Sequence, residues 1–311
     1  MKLFVTGVTG FVGQRLSERL RAHPARFELA FVGPGPDVTQ ADAVAAALEA
    51  AAPDAVLHLA ARSHAPDAWA DPLRSIAVNG GGTAVLCRAL ADRRFMGPVL
   101  VVSSSDVYGS VGLEGQPITE DRRPAPSNPY AVSKVAAEEA GLQWWRSHGL
   151  RVMVARPFPH TGPGHPARFV LPGFARQVIR AKRGQIAEIV TGDLTLTRDF
   201  SWADDVAGAY LALLSAGEPG QIYNVCSGFG QDLSSLLERL MALAGVDLPI
   251  RVDPTRLRAG DLRRVVGSAA RLAACSPGSV PVPLTDAHLS AMLQYWEEAE
   301  NVPAPRSLPQ S

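Results

Sequence analysis

The sequence predicts an α/β fold: a doubly wound parallel sheet with a smaller C-terminal substrate-binding lobe. Three observations carry that expectation. Short apolar runs alternate with longer helical patterns through the first half of the 311-residue chain. A glycine-rich turn follows the first apolar run directly. After about residue 157 the alternation loosens into a stretch crowded with Pro and Gly, then into mixed helices and short strands.

The apolar runs are KLFV (2–5), FELAFV (27–32), AVLHLA (55–60), PVLVVSSS (98–105) and RVMVAR (151–156), short and bounded by polar or Gly/Pro residues, as buried strands are. Between them FVGQRLSERLRA, QADAVAAALEAA, SIAVNGGGTAVLCRALADRR and YAVSKVAAEEAGLQWWRSH repeat apolar residues at helical spacing. Strand and helix in alternation place helices on both faces of a parallel sheet. RPFPHTGPGHPARFVLPG predicts a long irregular loop, and loops of that length in compact domains usually have a function. The expected division is residues 1–157, with returning segments of the C-terminal half, as the nucleotide-binding domain, 158–300 as the substrate lobe and 301–311 as a poorly ordered tail.

Apolar residues make up 47% and charged residues 19%, a balance that buries a core. Thirty basic and thirty acidic residues leave no net charge, and no Lys/Arg cluster tracks a phosphate backbone, so nucleic acid is not an expected partner. No stretch approaches the roughly 20 apolar residues that span a bilayer, and MKLFVTGVTG lacks a leader's apolar core. A cytoplasmic protein with no membrane partner is expected. Cys87, Cys226 and Cys275 are scattered, without metal-ligand spacing, and predict neither a disulfide framework nor a metal site.

VTGVTGFVG places Gly7, Gly10 and Gly13 between the first strand and the first helix. Glycines there let the backbone approach a pyrophosphate, and the N–H groups and positive end of the helix stabilise its charge. The motif in this context predicts dinucleotide binding and makes the fold Rossmann-type. FVGPGPDVT carries neither an acid nor an arginine in the usual place after the second strand, so NAD (NADH) and NADP (NADPH) remain alternatives. Asp37 either reaches the adenine or caps a helix.

Chemistry on a carbonyl needs a proton donor beside the oxygen. In SNPYAVSKVAAEE, Tyr130 and Lys134 stand at (i, i+4), sharing a helix face, and a cation one turn from a phenol is expected to draw its pKa down from about 10. VVSSSDVYG supplies an orienting hydroxyl at the C-terminal end of the fourth strand, some 25 residues earlier.

Together TGVTGFVG, HLAARSH, SSSDVYG, NPYAVSK and RPFPHTGPG resemble, in order and spacing, the extended short-chain dehydrogenases/reductases, the family of nucleotide-sugar epimerases, dehydratases and reductases. The resemblance implies Ser104 as the orienting hydroxyl, Tyr130 as acid/base and Lys134 as the residue that tunes the tyrosine and holds the nicotinamide ribose. It places Thr9, Phe11, Val12, Leu59, Ala60, Ala61 and Arg156 at the cofactor, beside the three glycines and Asp37.

A finer likeness, in VARPFPHTGPGHPARFVLPGFARQ, TRDFSWADDVAGAYLALLS, YNVCSG and DPTRLRAGDLRRVVGSAARL, is to the branch that reduces GDP-4-keto-6-deoxy-mannose. It implies a GDP-sugar substrate held by Ser63, His64, Ser105, Phe169, Val170, Arg176, Arg198, Arg258 and Asp261, with Arg198 on the diphosphate. For Arg198 a surface ion pair, for Arg258 with Asp261 a solvated helical pair, and for His64 an ordinary loop position are the plainer readings. Asp106 stands where related dehydratases carry a glutamate base, so a 4,6-dehydratase or an epimerase is the alternative activity; solvation or a turn cap is its plainer role. Pro159 departs from the family's asparagine and removes two donors. A non-catalytic nucleotide sensor on the same fold is a further class, opposed by the joint presence of Ser104, Tyr130 and Lys134. Family members commonly form homodimers through two helices per subunit, here near 83–95 and 131–148, where Trp144 and Trp145 are candidates.

Overall fold

Six strands lie side by side in the computed structural model, which describes residues 1–22, 26–30, 35–109, 117–257 and 262–301. They are β1 (Lys2–Thr6), β2 (Glu28–Leu29), β3 (Ala55–His58), β4 (Val99–Val102), β5 (Val152–Pro157) and β6 (Ile222–Val225), in the order β6-β5-β4-β3-β1-β2. Every neighbouring pair is parallel, with Leu3 against Ala55, Val56 against Val99 and Val99 against Val152. A parallel sheet is covered on both faces, which is why its strands read as continuous apolar runs.

The alternation of side chains along each strand divides the core in two. Leu3, Val5, Leu57 and Leu100 pack with Leu16 and Leu20 of helix α1 (Phe11–Ala22) and with buried residues between Val206 and Leu214. Phe4, Val56, Val99 and Val101 face the other way, against Val44 and Leu48 of α2 (Ala41–Ala51), and against residues of two later helices, among them Leu86 and Ala137. The reading of one helix from Ser75 onward is corrected. α3 (Ala65–Ala70) and α4 (Pro72–Ile76) lead into a five-residue π-helix, Ala77–Gly81, and only then into α5 (Gly82–Asp92). π segments are rare and concentrate at functional sites. This one carries a buried asparagine, Asn79.

α6 (Pro129–His148) opens on Asn128, whose Oδ1 accepts from the Ala131 N–H at 2.8 Å, with Pro129 at its first position. Gly149 closes it in the left-handed conformation. The predicted irregular loop is shorter than expected at its end, because α7 (Val170–Lys182) begins at Val170. Pro172 falls in its first turn, where a missing N–H breaks no helical bond. α8 (Ala203–Ala216) returns to cover the sheet through Val206, Tyr210 and Leu213.

The chain divides into two compact units. The first comprises Met1–His160, Arg198–Gly230 and Gly260–Pro283, so the chain leaves the sheet-bearing unit a few residues after 157 and returns twice. The second comprises Thr161–Thr197, Gln231–Ala259 and Leu284–Ser311. Its core is made by α7, α9 (Leu233–Ala244) and a C-terminal helix, Asp286–Ala299, with Phe174, Val178, Leu236, Leu240, Leu289 and Met292 buried. A short parallel strand pair, Ile189–Thr191 with Ile250–Val252, completes it. The tail beyond Asn301 lies outside the described residues.

Candidate active site

The glycine turn stands at the C-terminal end of β1. Gly7 has φ +73°, and a Cβ on it would come within 2.7 Å of the Ala60 nitrogen. A Cβ on Gly13 would lie 2.5 Å from the Val8 carbonyl oxygen. Both positions exclude any side chain. The Gly10 N–H closes the turn on the Gly7 carbonyl at 3.0 Å, α1 starts at Phe11, and the exposed Thr9 holds Gln14 through its carbonyl. A cradle that only bare backbone fills, at the start of a helix, fits a pyrophosphate.

Leu59, Ala60 and Ala61 follow β3 and border that cradle. The Leu59 N–H donates to the Thr6 carbonyl at 3.1 Å and the Ala60 N–H to the Thr6 hydroxyl at 3.2 Å. The Thr6 hydroxyl is 2.7 Å from Nδ1 of the buried His58, whose Nε2 meets the Thr83 hydroxyl at 3.0 Å. Because Thr83 donates onward to the Asn79 carbonyl, it accepts from Nε2, and His58 is held as the neutral Nε2–H tautomer. Burial, with Lys134 nearby, lowers its pKa to about 3. Phe11 stacks on His160, ring centroids 6.3 Å apart. Asp37 does not cap α2, whose N-cap is Gln40; its Oδ1 accepts from the N–H and hydroxyl of Thr39, which lowers its pKa.

Ser104, Tyr130 and Lys134 converge at the end of β4. All three are buried, and the Ser104 hydroxyl stands near enough to the Tyr130 phenol to act on its pKa. Ser104 also caps the 3-10 turn Ser105–Tyr108, accepting from the Asp106 N–H at 3.2 Å. The Lys134 ammonium donates to the Val102 carbonyl at 2.8 Å. The expected depression of the tyrosine pKa is corrected here. Burial, then the charge of the exposed Asp106, raises it above the ordinary value, while the nearby Ser104 hydroxyl pulls the other way. Lys134 shifts down instead, to about 8, because desolvation of its ammonium outweighs the attraction of Glu138. Tyr130 therefore carries its proton at neutral pH, the form a proton donor requires.

Arg156 was expected at the cofactor; the structure gives it other partners. It is 1% exposed, its Nε and Nη2 donate to Oε1 and Oε2 of Glu138 at 2.8 and 2.7 Å, and its guanidinium lies 4.7 Å above the Tyr108 ring. Ser105 is buried and Ser63 exposed. His64 stands at the start of α3 with Nδ1 3.0 Å from Asp67. Arg198 donates to the Leu262 carbonyl at 2.8 Å. Phe169, Val170 and Arg176 belong to the second unit. Phe169 stacks on His165 at the start of α7, Val170 is exposed, and Arg176 pairs with Glu300 at 2.5 Å and lies over Trp296. Arg258 and Asp261 lie outside the described residues.

Residues 3–226 match the NAD dependent epimerase/dehydratase family. The chain belongs to that family. A Pseudomonas aeruginosa GDP-6-deoxy-D-mannose reductase is 45% identical over 297 residues, covering 95% of this chain and 97% of the relative. A GDP-6-deoxy-D-talose 4-dehydrogenase from Aggregatibacter actinomycetemcomitans is 28% identical over 88% of this chain and 90% of its own. The structure of RMD from P. aeruginosa complexed with NADPH superposes with a TM-score of 0.90 at 44% identity, covering 96% of this chain and 99% of the other. Fold and family stand as the motifs implied.

Three buried polar groups receive no role from the motifs. Asn79, on the π-helix, accepts from the Arg62 N–H at 2.8 Å and donates to the Ser133 hydroxyl at 2.7 Å, which in turn donates to the Tyr130 carbonyl at 2.6 Å. Asp199, within TRDF, accepts from the N–H and hydroxyl of Ser227 and from the N–H groups of Gly228 and Gly267. Glu138 is the third. A buried carboxylate or amide inside an otherwise apolar pattern was the only available signal, and it does not say which partner satisfies it.

Proposed function

We propose that the protein is an NAD(P)H-dependent reductase of the C4 keto group of a GDP-4-keto-6-deoxy-hexose, converting GDP-4-keto-6-deoxy-D-mannose to GDP-D-rhamnose. The observation that carries this reading is the buried cluster of Ser104 and Tyr130 with Lys134 one turn on, in a chain 45% identical to a GDP-6-deoxy-D-mannose reductase. When bound, a reduced nicotinamide would supply the hydride for the new C4–H bond and would itself be oxidised. Tyr130 gives its phenolic proton to the oxygen left negative at C4, forming the hydroxyl. Ser104 donates to that oxygen before and after the step, so the ketone is held in one orientation. The Lys134 ammonium stabilises the phenolate that remains and hydrogen-bonds the nicotinamide ribose. Gly7, Thr9, Gly10, Phe11, Val12 and Gly13, with Leu59–Ala61, hold the dinucleotide, and its pyrophosphate meets the start of α1.

Ser63, His64, Ser105 and Arg198 are the proposed GDP-sugar contacts of the first unit; Phe169, Val170 and Arg176 are those carried by the second. Asp106, exposed and close enough to raise the Tyr130 pKa, is the group a 4,6-dehydratase would use as base. We extend the proposal to a homodimer built on α4, α5 and α6, where Leu73, Ile76 and Val132 are 78%, 38% and 42% exposed, an apolar surface of the kind that helix pairing buries. The compartment is the cytoplasm, which three free thiols suit.

The test supplies purified protein with the 4-keto sugar nucleotide and NADPH or NADH. One cofactor should be oxidised per sugar reduced, and Tyr130→Phe should lower turnover by about 10²–10⁴ while retaining cofactor binding. A 4-keto product formed from GDP-mannose without added cofactor would overturn the reductase in favour of the lyase.

A further inference from the structure

Glu138 stands one helical turn beyond Lys134 and touches nothing that reacts. It is 2% exposed, and its polar bonds run to Ser103, beside Ser104, and to Arg156 on β5. Its Oε1 accepts from the Ser103 hydroxyl at 2.5 Å and from Arg156 Nε at 2.8 Å, and its Oε2 accepts from Arg156 Nη2 at 2.7 Å. Ser103 directly precedes Ser104, and along extended backbone neighbouring side chains leave opposite sides, so holding Ser103 inward aims Ser104 outward. The same strand end receives the Lys134 ammonium at the Val102 carbonyl. α6 is therefore tied to the end of β4 twice, from residues four apart.

Arg156 extends the arrangement across the sheet. It rises from β5, lies over the Tyr108 ring in the turn that follows Ser104, and the Tyr108 hydroxyl donates to Asn224 Oδ1 of β6 at 2.7 Å. Glu120 accepts from the Asn224 N–H at 2.8 Å. Removing two full charges from water is costly, and well-packed apolar residues in their place are often neutral or stabilising. A buried pair that meets both catalytic elements has a use beyond stability.

Resting on the reductase reading, we propose that Glu138 is a positioning residue for the reaction: clamped by Arg156, its carboxylate aims Ser104 through Ser103 and keeps the Lys134 ammonium charged at working pH. The groups that face Lys134 and Glu138 from the packed elements are His58 on β3, Tyr108 in the 3-10 turn and Arg156 on β5, with Tyr130 one turn before Lys134 on α6 itself. His58 titrates near 3 and Tyr108 near 12, each displaced by burial, and Tyr130 is raised as well. Lys134, near 8, is the one among them that changes charge just above neutrality.

The experiment compares Glu138→Gln, Glu138→Asp and the double variant Glu138→Gln with Arg156→Gln, which leaves no unpaired buried arginine, against the parent enzyme. In Glu138→Gln the alkaline fall of kcat should move about one pH unit lower, since an adjacent opposite charge shifts a pKa by roughly that much or more. KM for the sugar should change far less than kcat. Glu138→Asp, which keeps the charge, should leave the fall where the parent has it. A second readout needs neither cofactor nor substrate. Urea unfolding should show the variant's deficit in the unfolding constant shrinking about tenfold between pH 6.5 and pH 9.5, because the lost attraction counts only while Lys134 is charged. A deficit constant with pH, or an alkaline limb unmoved in both glutamine variants, reduces Glu138 to a structural residue and overturns the proposal. If the parent enzyme fails to reduce the sugar, the reductase reading falls, and the unfolding comparison still decides the charge coupling.

Discussion

Compare how the two units treat opposite charges. In the sheet-bearing unit, Arg156 and Glu138 meet with side chains 2% and 3% exposed. In the second unit Lys182 and Glu297 pair at 45% and 46% exposure, and Arg251 and Glu188 at 53% and 41%. The bonds are of similar length, yet their surroundings differ. Water screens the surface pairs, so each contributes about 0–1 kcal/mol, whereas breaking a buried pair strands a charge that nothing solvates. The first unit tolerates that risk where its chemistry lies. The second is held by apolar packing between α7, α9 and the C-terminal helix, and its charges keep to the rim.

The sharpest test of this contrast is Arg156→Met, which leaves the buried Glu138 without its ion-pair partner and bonded only to the Ser103 hydroxyl. Urea denaturation should show a loss of about 3–5 kcal/mol, and Glu138→Met added to it should restore much of that loss. A small effect of the single variant would mean that water reaches the pair. Acid should act next, through His58. Its folded pKa of about 3 lies below the value of about 6.5 it has when unfolded, so the unfolded chain binds the extra proton. The stability due to neutral His58 is complete above pH 6.5 and is lost progressively as pH falls towards 3. By pH 4.5 the loss from this group is about 2–3 kcal/mol, and His58→Asn should flatten that part of a melting-temperature profile. The smallest effects belong to the second unit. Lys182→Ala should change stability by less than about 1 kcal/mol, as should Arg176→Ala. Arg176→Ala should in addition raise KM for the GDP-sugar; an unchanged KM would confine Arg176 to its pairing with Glu300 and Trp296.

Much of the fold was legible because it rests on local rules. The five apolar runs of the first half became five parallel strands, since buried strands need no polar alternation. The glycine turn was readable because only glycine fits a positive φ pressed against Ala60. The long helix expected from Ser75 was misread because a π segment costs the apolar periodicity only one step, and its reason is the demand of Asn79 for partners on Arg62 and Ser133. The early start of α7 was hidden by Pro172, which reads as a breaker but is harmless in a first turn.

By itself the amino-acid sequence determined the strands of the sheet and the glycine turn, and it supplied the three residues proposed for the proton transfer, because each depends on residue type at short spacing. Tertiary structure alone decided their electrostatics. The four-position spacing of Tyr130 and Lys134 suggested a phenol made acidic; burial instead keeps the phenol protonated and lowers the lysine. Likewise Arg156, which the RPFPHTGPG motif suggested for the cofactor, is turned inward to Glu138, eighteen positions away in the chain. The energy of a charge depends on everything packed around it, and that neighbourhood is assembled from segments far apart in sequence.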